Sequence, residues 1–218
     1  MPVADPSTND PEAKARLLHA ACAVFAERGF RHATVRDICK QAQVNVAAVG
    51  YYFGSKEELY AEALKASAKR SVALHPLDAG LPADASWELA LEAVVRAFIS
   101  RVLAEGEASW YGRMITREMV EPSAALEGLV EEVIRPQAQY LWSVVRRALG
   151  SAAAEAQVRA GAYSIVAQCV FHHQARPMME RLGGPKPDAG ALIAHVAAFS
   201  IAGLRQMAAD LQKKEGAP

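Results

Sequence analysis

The chain has 218 residues, of which 52% are hydrophobic, and its 24 basic residues balance its 24 acidic ones. This length allows one large domain or a small domain joined to a larger one, and the hydrophobic fraction excludes an intrinsically disordered protein. The charge is unevenly distributed, because residues 11–70 carry 10 Lys and Arg against 6 Asp and Glu. Only this part has the sign expected of a surface that faces phosphates.

The three cysteines, Cys22, Cys39 and Cys169, lie in apolar helical patterns without Cys-x-x-Cys spacing. We therefore expect buried, reduced thiols of a cytoplasmic protein and not a redox sensor. The first ten residues have neither a basic n-region nor an apolar h-region, so we expect no secretory signal. We also expect no stretch of the ~20 apolar residues that span a bilayer, and hence no membrane partner.

The chain begins with a segment, residues 1–10, that we predict to be a disordered arm. Apolar residues then recur at helical spacing until Gly29 ends the first helix. Thr34 stands in N-cap position for a short second helix, which a turn near Gln43 and Val44 separates from a third helix at about 45–52. Ser55 begins a fourth helix, and Glu58 completes the pattern of a capping box.

The rest of the chain also reads as helices, and because strand alternation is absent we predict an all-α fold. A break containing Pro76, Gly80 and Pro82 ends the fourth helix, and further helices are predicted at about 85–104, 109–119, 123–149, 152–175 and 188–213. Pro136 should kink or split the third of these later helices. We divide the chain into the arm, a helix-turn-helix domain at 11–55, whose connecting helix starts at 55, and a larger helical effector-binding and dimerisation domain at 56–218.

Two segments near the C-terminus, residues 160–175 and 189–204, contain no Asp, Glu, Lys or Arg. A helix that is apolar nearly all round is buried on more than one side. We therefore predict a homodimer in which one face of each of the last two helices closes the core of its own subunit and the other packs against the second subunit.

The capped helix, the Ala42-x-Val44 turn and the segment VAAVGYYFGSKEELYAEAL at 46–64 resemble the N-terminal domain of the TetR family of bacterial transcriptional regulators. The segments RMITREMVEPS, VIRPQ and AQCVFHHQARP resemble its CecR-type subgroup. The resemblance implies a homodimeric repressor of nine or ten helices whose C-terminal domain binds a small molecule. Two residues depart from the family pattern: Gln43 occupies a turn position that is often Gly, and Gly50 a position that is often Tyr.

Side-chain chemistry predicts which residues of the motif touch double-stranded DNA. Tyr hydroxyls, a Lys in the first turn of a helix and a capped helix N-terminus suit phosphate contacts. Small apolar side chains suit thymine methyl groups, and an amide or a guanidinium suits hydrogen bonds to bases. Arg36 also matches a position that contacts bases in some members of the family. The predicted DNA-binding residues are Thr34, Arg36, Asn45, Val46, Ala47, Ala48, Tyr51, Tyr52 and Lys56.

The C-terminal part lacks a catalytic constellation, and we expect no enzyme activity, no metal and no cofactor. The adjacent His172 and His173 point in different directions on a helix. The charges of Arg113, Arg117, Glu118 and Glu121 are typical of a salt-bridged face, with pocket-lining polar groups as the alternative. Aromatic, Met and polar residues suggest a pocket for a hydrophobic effector. The predicted pocket residues are Trp110, Tyr111, Met114, Arg117, Trp142, Gln168, Phe171 and His172.

The favoured function is therefore a dimeric repressor of a pseudo-palindromic operator, released by a small hydrophobic effector. Two alternatives stay open: a helical small-molecule binder that no longer binds DNA, and a regulator that activates or answers to a protein partner.

Overall fold

A computed structural model describes residues 11–183 and 188–215, and the regular structure in these residues is entirely helical. The predicted disordered arm, residues 1–10, lies outside the described residues. The all-α prediction is confirmed. The described residues contain the helices α1 (Pro11–His32), α2 (Val35–Ala42), α3 (Ala47–Phe53), α4 (Lys56–Leu74), α5 (Trp87–Val102), α6 (Trp110–Val120), α7 (Ala125–Leu129), α8 (Arg135–Leu149), α9 (Glu155–Gln174), α10 (Arg176–Arg181) and α11 (Ala189–Glu215).

Helix ends follow the local chemistry of the chain. Gly29 interrupts α1 with φ 75° and ψ 168°, a conformation that favours glycine. The helix predicted at 123–149 is divided where Pro136 was expected to disturb it, because a π-helical turn, Val130–Ile134, lies between α7 and α8. A proline has no N–H and clashes with the carbonyl four residues earlier, and the wider turn removes that conflict. This division and the short α10 explain why the described residues hold more helices than the nine or ten implied by the resemblance.

The chain forms two compact units that do not follow its order. Among the described residues, unit 1 comprises 11–71 and 105–133, and unit 2 comprises 72–104, 134–183 and 188–215. The segment that contains α6, α7 and the π-helical turn therefore packs with α1 to α3 and the first part of α4. The predicted division at residue 55 stays a prediction.

The core of unit 2 is built from α5, α8, α9 and α11. Buried side chains such as Leu91, Val94, Val144 and Val196 are fully enclosed in it. Both charge-free segments contribute one face to this core, as predicted, through residues such as Ile165 and Leu204. Their opposite faces are exposed.

Helix α11 differs from one sequence-based expectation. Its segment Ala189–Lys213 spans 25 residues and is long and apolar enough, by length and composition, to cross a membrane. The expectation that no stretch reaches this length was therefore wrong. One third of its most apolar part is buried, and residues such as Leu192, Val196 and Leu204 on this side of α11 belong to the core of unit 2.

The three cysteines are free and buried, as predicted. Burial raises the pKa of the Cys169 thiol to about 12, and it raises the pKa of Cys22 and of Cys39 as well. A thiol with a raised pKa is a poor nucleophile, because the thiolate is the reactive form.

Candidate nucleic-acid interface

The turn between α2 and α3 has a left-handed residue at Gln43, the position that is often Gly in the family. Gln43 adopts φ 56° and ψ 43°, in the left-handed region, and its N–H reaches the carbonyls of Cys39 and Lys40. Val44 N–H also donates to the carbonyl of Cys39 at 3.0 Å. These hydrogen bonds cap the C-terminal end of α2, so the chain turns immediately and α3 can begin at Ala47.

The start of α2 is capped and braced. Thr34 is extended, and its Oγ1 accepts from the Asp37 N–H at 3.1 Å, which confirms the predicted N-cap. The same hydroxyl donates to Asp37 Oδ2 at 2.8 Å, and Arg28 of α1 donates to that oxygen at 2.8 Å. One carboxylate therefore joins the end of α1 to the start of α2.

Helix α3 begins two residues later than predicted, so Asn45 and Val46 precede it. Asn45 Oδ1 accepts from the Ala47 N–H at 3.0 Å, and this bond satisfies one of the free N–H groups at the start of the helix. The Asn45 amide keeps its two N–H donors for other partners. Val49 is buried against α1 and α2 and holds the helix, while Val46 is 51% exposed.

None of the predicted DNA-binding residues is buried in unit 1. The exposed ones are Thr34, Arg36, Asn45, Val46, Ala47 and Tyr51, and the half-buried ones are Ala48, Tyr52 and Lys56. The rings of Tyr51 and Tyr52 meet edge to face with centroids 4.8 Å apart, which limits their rotation. A Cβ added to Gly50, on the exposed side of α3, would have no atom within 4 Å.

The junction of α3 and α4 requires glycine. Gly54 has φ 84°, and a Cβ on it would lie 2.1 Å from a Glu58 carboxylate oxygen. Ser55 Oγ accepts from the Glu58 N–H at 3.1 Å, so the predicted cap of α4 is present. Lys56 lies in the first turn of α4 with its Nζ 4.5 Å from the centre of the Phe30 ring. This cation–π contact holds a positive charge near the helix N-terminus.

The sequence did not predict that α6 belongs to unit 1. Three of the four charged side chains that were expected to form a salt-bridged face, on α6 and directly after it, bond to α1 or α4 instead of to one another. Arg117 donates to backbone carbonyls of α1, Glu118 accepts from the Tyr60 hydroxyl of α4 at 2.7 Å, and Glu121 lies 3.4 Å from Arg31 of α1. Glu118 is only 3% exposed, and the placement of a carboxylate in the apolar pattern of α6 was the one sequence signal of such a partner.

Four of the predicted pocket residues lie in unit 1, on α6. Met114 is fully buried, and Trp110 and Tyr111 are half-buried. The Trp110 ring meets the His19 ring of α1 edge to face at 5.0 Å. Arg117 is engaged with the α1 carbonyls. These side chains therefore contribute to the packing of α6 on α1.

The other four predicted pocket residues lie in unit 2. The Arg159 guanidinium stacks 4.6 Å from the Trp142 ring, and Gln168 donates to Ser200 Oγ at 3.4 Å. His172 is half-buried, and within the described residues its Nδ1 is buried without a hydrogen-bond partner. Phe171 is 56% exposed and so lies on the outer face of α9. The predicted set is thus divided between the two units.

Comparisons with known proteins match both ends of the chain. The profile described as "Bacterial regulatory proteins, tetR family" matches residues 17–63. The profile of the C-terminal domain of the "HTH-type transcriptional dual regulator CecR" matches residues 87–204, more than half of the chain.

Curated relatives carry the same kind of name. The chain is 33% identical over 145 residues to the dual regulator CecR of Shigella flexneri, a match that covers 62% of this chain and 63% of that protein. It is 44% identical over 52 residues to the repressor KstR2 of Mycobacterium tuberculosis, covering 24% of this chain and 26% of that one. The chain thus matches less than two thirds of the length of these curated relatives.

Solved structures share the fold. A transcriptional regulator of Rhodococcus sp. Rha1 superposes with a TM-score of 0.66 at 21% identity, covering 88% of this chain and 96% of the other. FadR of Bacillus subtilis, solved in complex with stearoyl-CoA, gives 0.67 at 19% identity, covering 87% and 98%. These structures agree with the two profile matches and with the capped helix-turn-helix in unit 1. The chain therefore belongs to the tetR family of bacterial regulatory proteins, with a C-terminal domain of the CecR type.

Proposed function

We propose that the protein is a cytoplasmic, homodimeric repressor that binds a pseudo-palindromic operator and leaves it when a small hydrophobic effector binds. In this proposal residues 11–55 carry DNA binding, and the helices that follow carry the effector site and the dimer contact. The observation that carries the proposal is the exposed helix-turn-helix surface, with Arg36 and Tyr51 on a braced scaffold.

The dimer is supported by the outer face of α9 and α11. Tyr163, Phe171 and Phe199 are 61%, 56% and 63% exposed, and small uncharged residues such as Ala167 and Ala198 lie beside them. Aromatic side chains with few charges around them are typical of the centre of a subunit interface. A second subunit is also what would pair the recognition helices for two half-sites about one helical turn apart.

The effector is supported by two observations. His172 has a buried ring nitrogen without a partner among the described residues, which is the kind of polar group that fixes a ligand in an apolar site. The second is that FadR of Bacillus subtilis, which shares the fold, was solved in complex with stearoyl-CoA, a molecule with a long apolar chain. We therefore infer an effector with a substantial apolar part.

The test is selection of bound duplexes from a random-sequence pool, followed by footprinting on the selected sequence. We expect enrichment of two inverted half-sites and protection of both. Acyl-CoA compounds of different chain length are then added one at a time, and at least one of these compounds should abolish protection of the operator. If a sequence is enriched but no such compound abolishes its protection, control by a protein partner is favoured. If no sequence is enriched, operator binding is refuted.

A further inference from the structure

The first part of α1 ends at Gly29, and α6 donates hydrogen bonds to three carbonyl groups in the turn before it. The last carbonyls of a helix lack partners within the helix. Arg117 donates through its Nη1 to the carbonyls of Phe25 and Ala26 at 2.9 and 2.8 Å, and through its Nη2 to that of Glu27 at 2.9 Å. A guanidinium fork also carries the charge that the C-terminal end of a helix favours. Arg117 is therefore a cap for α1 that comes from a helix about 90 residues later in the chain.

Gly29 and Arg117 occupy complementary space. A Cβ on Gly29 would lie 3.3 Å from Arg117 Cδ, tighter than ordinary contact, and the φ of 75° is strained for any other residue. The Arg117 side chain thus packs against Gly29, the residue at which the first part of α1 ends. From this point only a few residues lead to Thr34 and the start of α2.

Helix α6 is held on unit 1 at both of its ends. At its N-terminal side, Glu107 contacts His19 of α1 at 3.1 Å and Arg70 of α4 at 2.8 Å. At its C-terminal side, Glu118 is bonded to Tyr60. A displacement of α6 along α1 would break these bonds, so the position of Arg117 at the end of α1 is fixed.

We propose that Arg117 is a positioning residue for operator binding, which sets the exit of the chain from α1 at Gly29 and thereby the placement of α2 and α3. This inference rests on the proposed function, because it supposes that an operator is bound. Contacts to base edges need exact placement of the recognition helix, whereas binding to unrelated DNA depends on the phosphate charge. Loss of the Arg117 fork should therefore weaken binding to the operator much more than binding to other DNA.

The experiment measures binding of the full chain to the duplex that the wild-type protein selects and to an unselected duplex of equal length and base composition. Arg117→Ala should weaken binding to the selected duplex about tenfold or more, as expected for the loss of charged hydrogen bonds that fix geometry. Binding to the unselected duplex and its salt dependence should stay within about twofold of wild type. Arg113→Ala is the matched control, because Arg113 is an exposed arginine one turn earlier on α6, and it should change neither.

Arg117→Lys separates positioning from a direct phosphate contact. Lysine keeps the charge but lacks the fork that reaches three carbonyls, so positioning predicts a defect like that of alanine, and a phosphate contact predicts recovery. Gly29→Ala perturbs the same junction from the other side and should reproduce the defect, and together with Arg117→Lys it replaces Arg117→Ala if that variant fails to fold.

The inference is overturned if Arg117→Ala binds the selected duplex like wild type, if both duplexes are weakened equally, or if lysine restores binding. Wild-type protein that selects no sequence would overturn the proposed function and this inference with it. If the wild-type protein selects a DNA sequence and the Arg117→Ala variant binds that sequence equally well, only this inference is overturned.

Discussion

Gln43 holds the turn of the helix-turn-helix at φ 56°, in the left-handed region that costs a side chain with a Cβ on the order of 1 kcal/mol. We expect Gln43→Gly to raise the free energy of unfolding by ~0.5–1 kcal/mol. Gln41→Gly, two residues earlier and inside α2, should lower it by up to ~1 kcal/mol. Urea denaturation measures both changes in the free energy of unfolding. A decrease for Gln43→Gly as well as for Gln41→Gly would show that the turn is not strained.

Arg36 is the residue with the best chemistry for a strong base contact. It is exposed in the first turn of α2, and its guanidinium can bond a guanine at two positions. Arg36→Ala should cost about 1–3 kcal/mol of binding to the selected operator and relax the preference at one base pair. Fluorescence anisotropy on operator and unrelated duplexes checks this, and an equal loss on both would assign Arg36 to phosphate binding.

Among the helices, those whose ends depend on nearby residues could be predicted from the sequence. Thr34, Gly54 and Ser55 act on residues at most four positions away, so cap and turn chemistry predicted the starts of α2 and α4 and the end of α3 to within about one residue, but not the start of α3. The association of α6 with α1 and α4 could not be predicted, because its contacts join residues 58 to 92 positions apart. The carboxylate of Glu118 in the apolar pattern of α6 signals that a buried partner is needed, but the local pattern does not say which helix supplies it.

The π-helical turn before α8 is tied to α4 by Glu132. Its carboxylate contacts Lys65 Nζ at 2.9 Å and Lys69 Nζ at 3.1 Å, and these hydrogen bonds lower the pKa of Glu132 from its ordinary value of 4.5. A carboxyl group whose pKa is lower in the folded state stabilises the fold at pH values above its pKa in the unfolded chain. This contribution is lost as the pH falls through the pKa in the folded state. Glu132→Gln should therefore destabilise the protein at pH 7 by a small amount, and this difference should be lost as the pH falls through the lowered pKa of Glu132.

Thermal unfolding of wild type and Glu132→Gln at several pH values measures this difference. Glu127→Gln is the control, since Glu127 precedes the turn on α7 and its substitution should have no comparable pH-dependent effect. A difference between Glu132→Gln and wild type that persists unchanged at low pH would contradict the assigned contact.

At the scale of the whole molecule, the exposed aromatic face of α9 and α11 decides the proposed assembly. Phe171→Glu or Phe199→Glu should place a charge in the subunit contact and produce monomers, because an unpaired charge is costly to bury. Leu89→Glu is the matched control, since Leu89 is an apolar residue of α5 that is 51% exposed and is not part of this face.

Sedimentation equilibrium at micromolar concentration distinguishes the outcomes. Wild type and Leu89→Glu should have twice the mass of the chain, and the two Phe variants should approach the monomer mass. The monomeric variants should also lose binding to the full operator more than to a single half-site. A dimer that survives both Phe substitutions would place the subunit contact elsewhere.

Gly50 gives the protein a route to new DNA preferences. Because a Cβ at this position would meet no neighbouring atom within 4 Å and Gly50 is exposed, we expect the position to accept a small side chain without rearrangement of the helix. Helix α3 is strengthened by nearly every replacement of glycine. If α3 is the recognition helix, as proposed, position 50 is a place where a designed library can vary sequence recognition with little cost to folding.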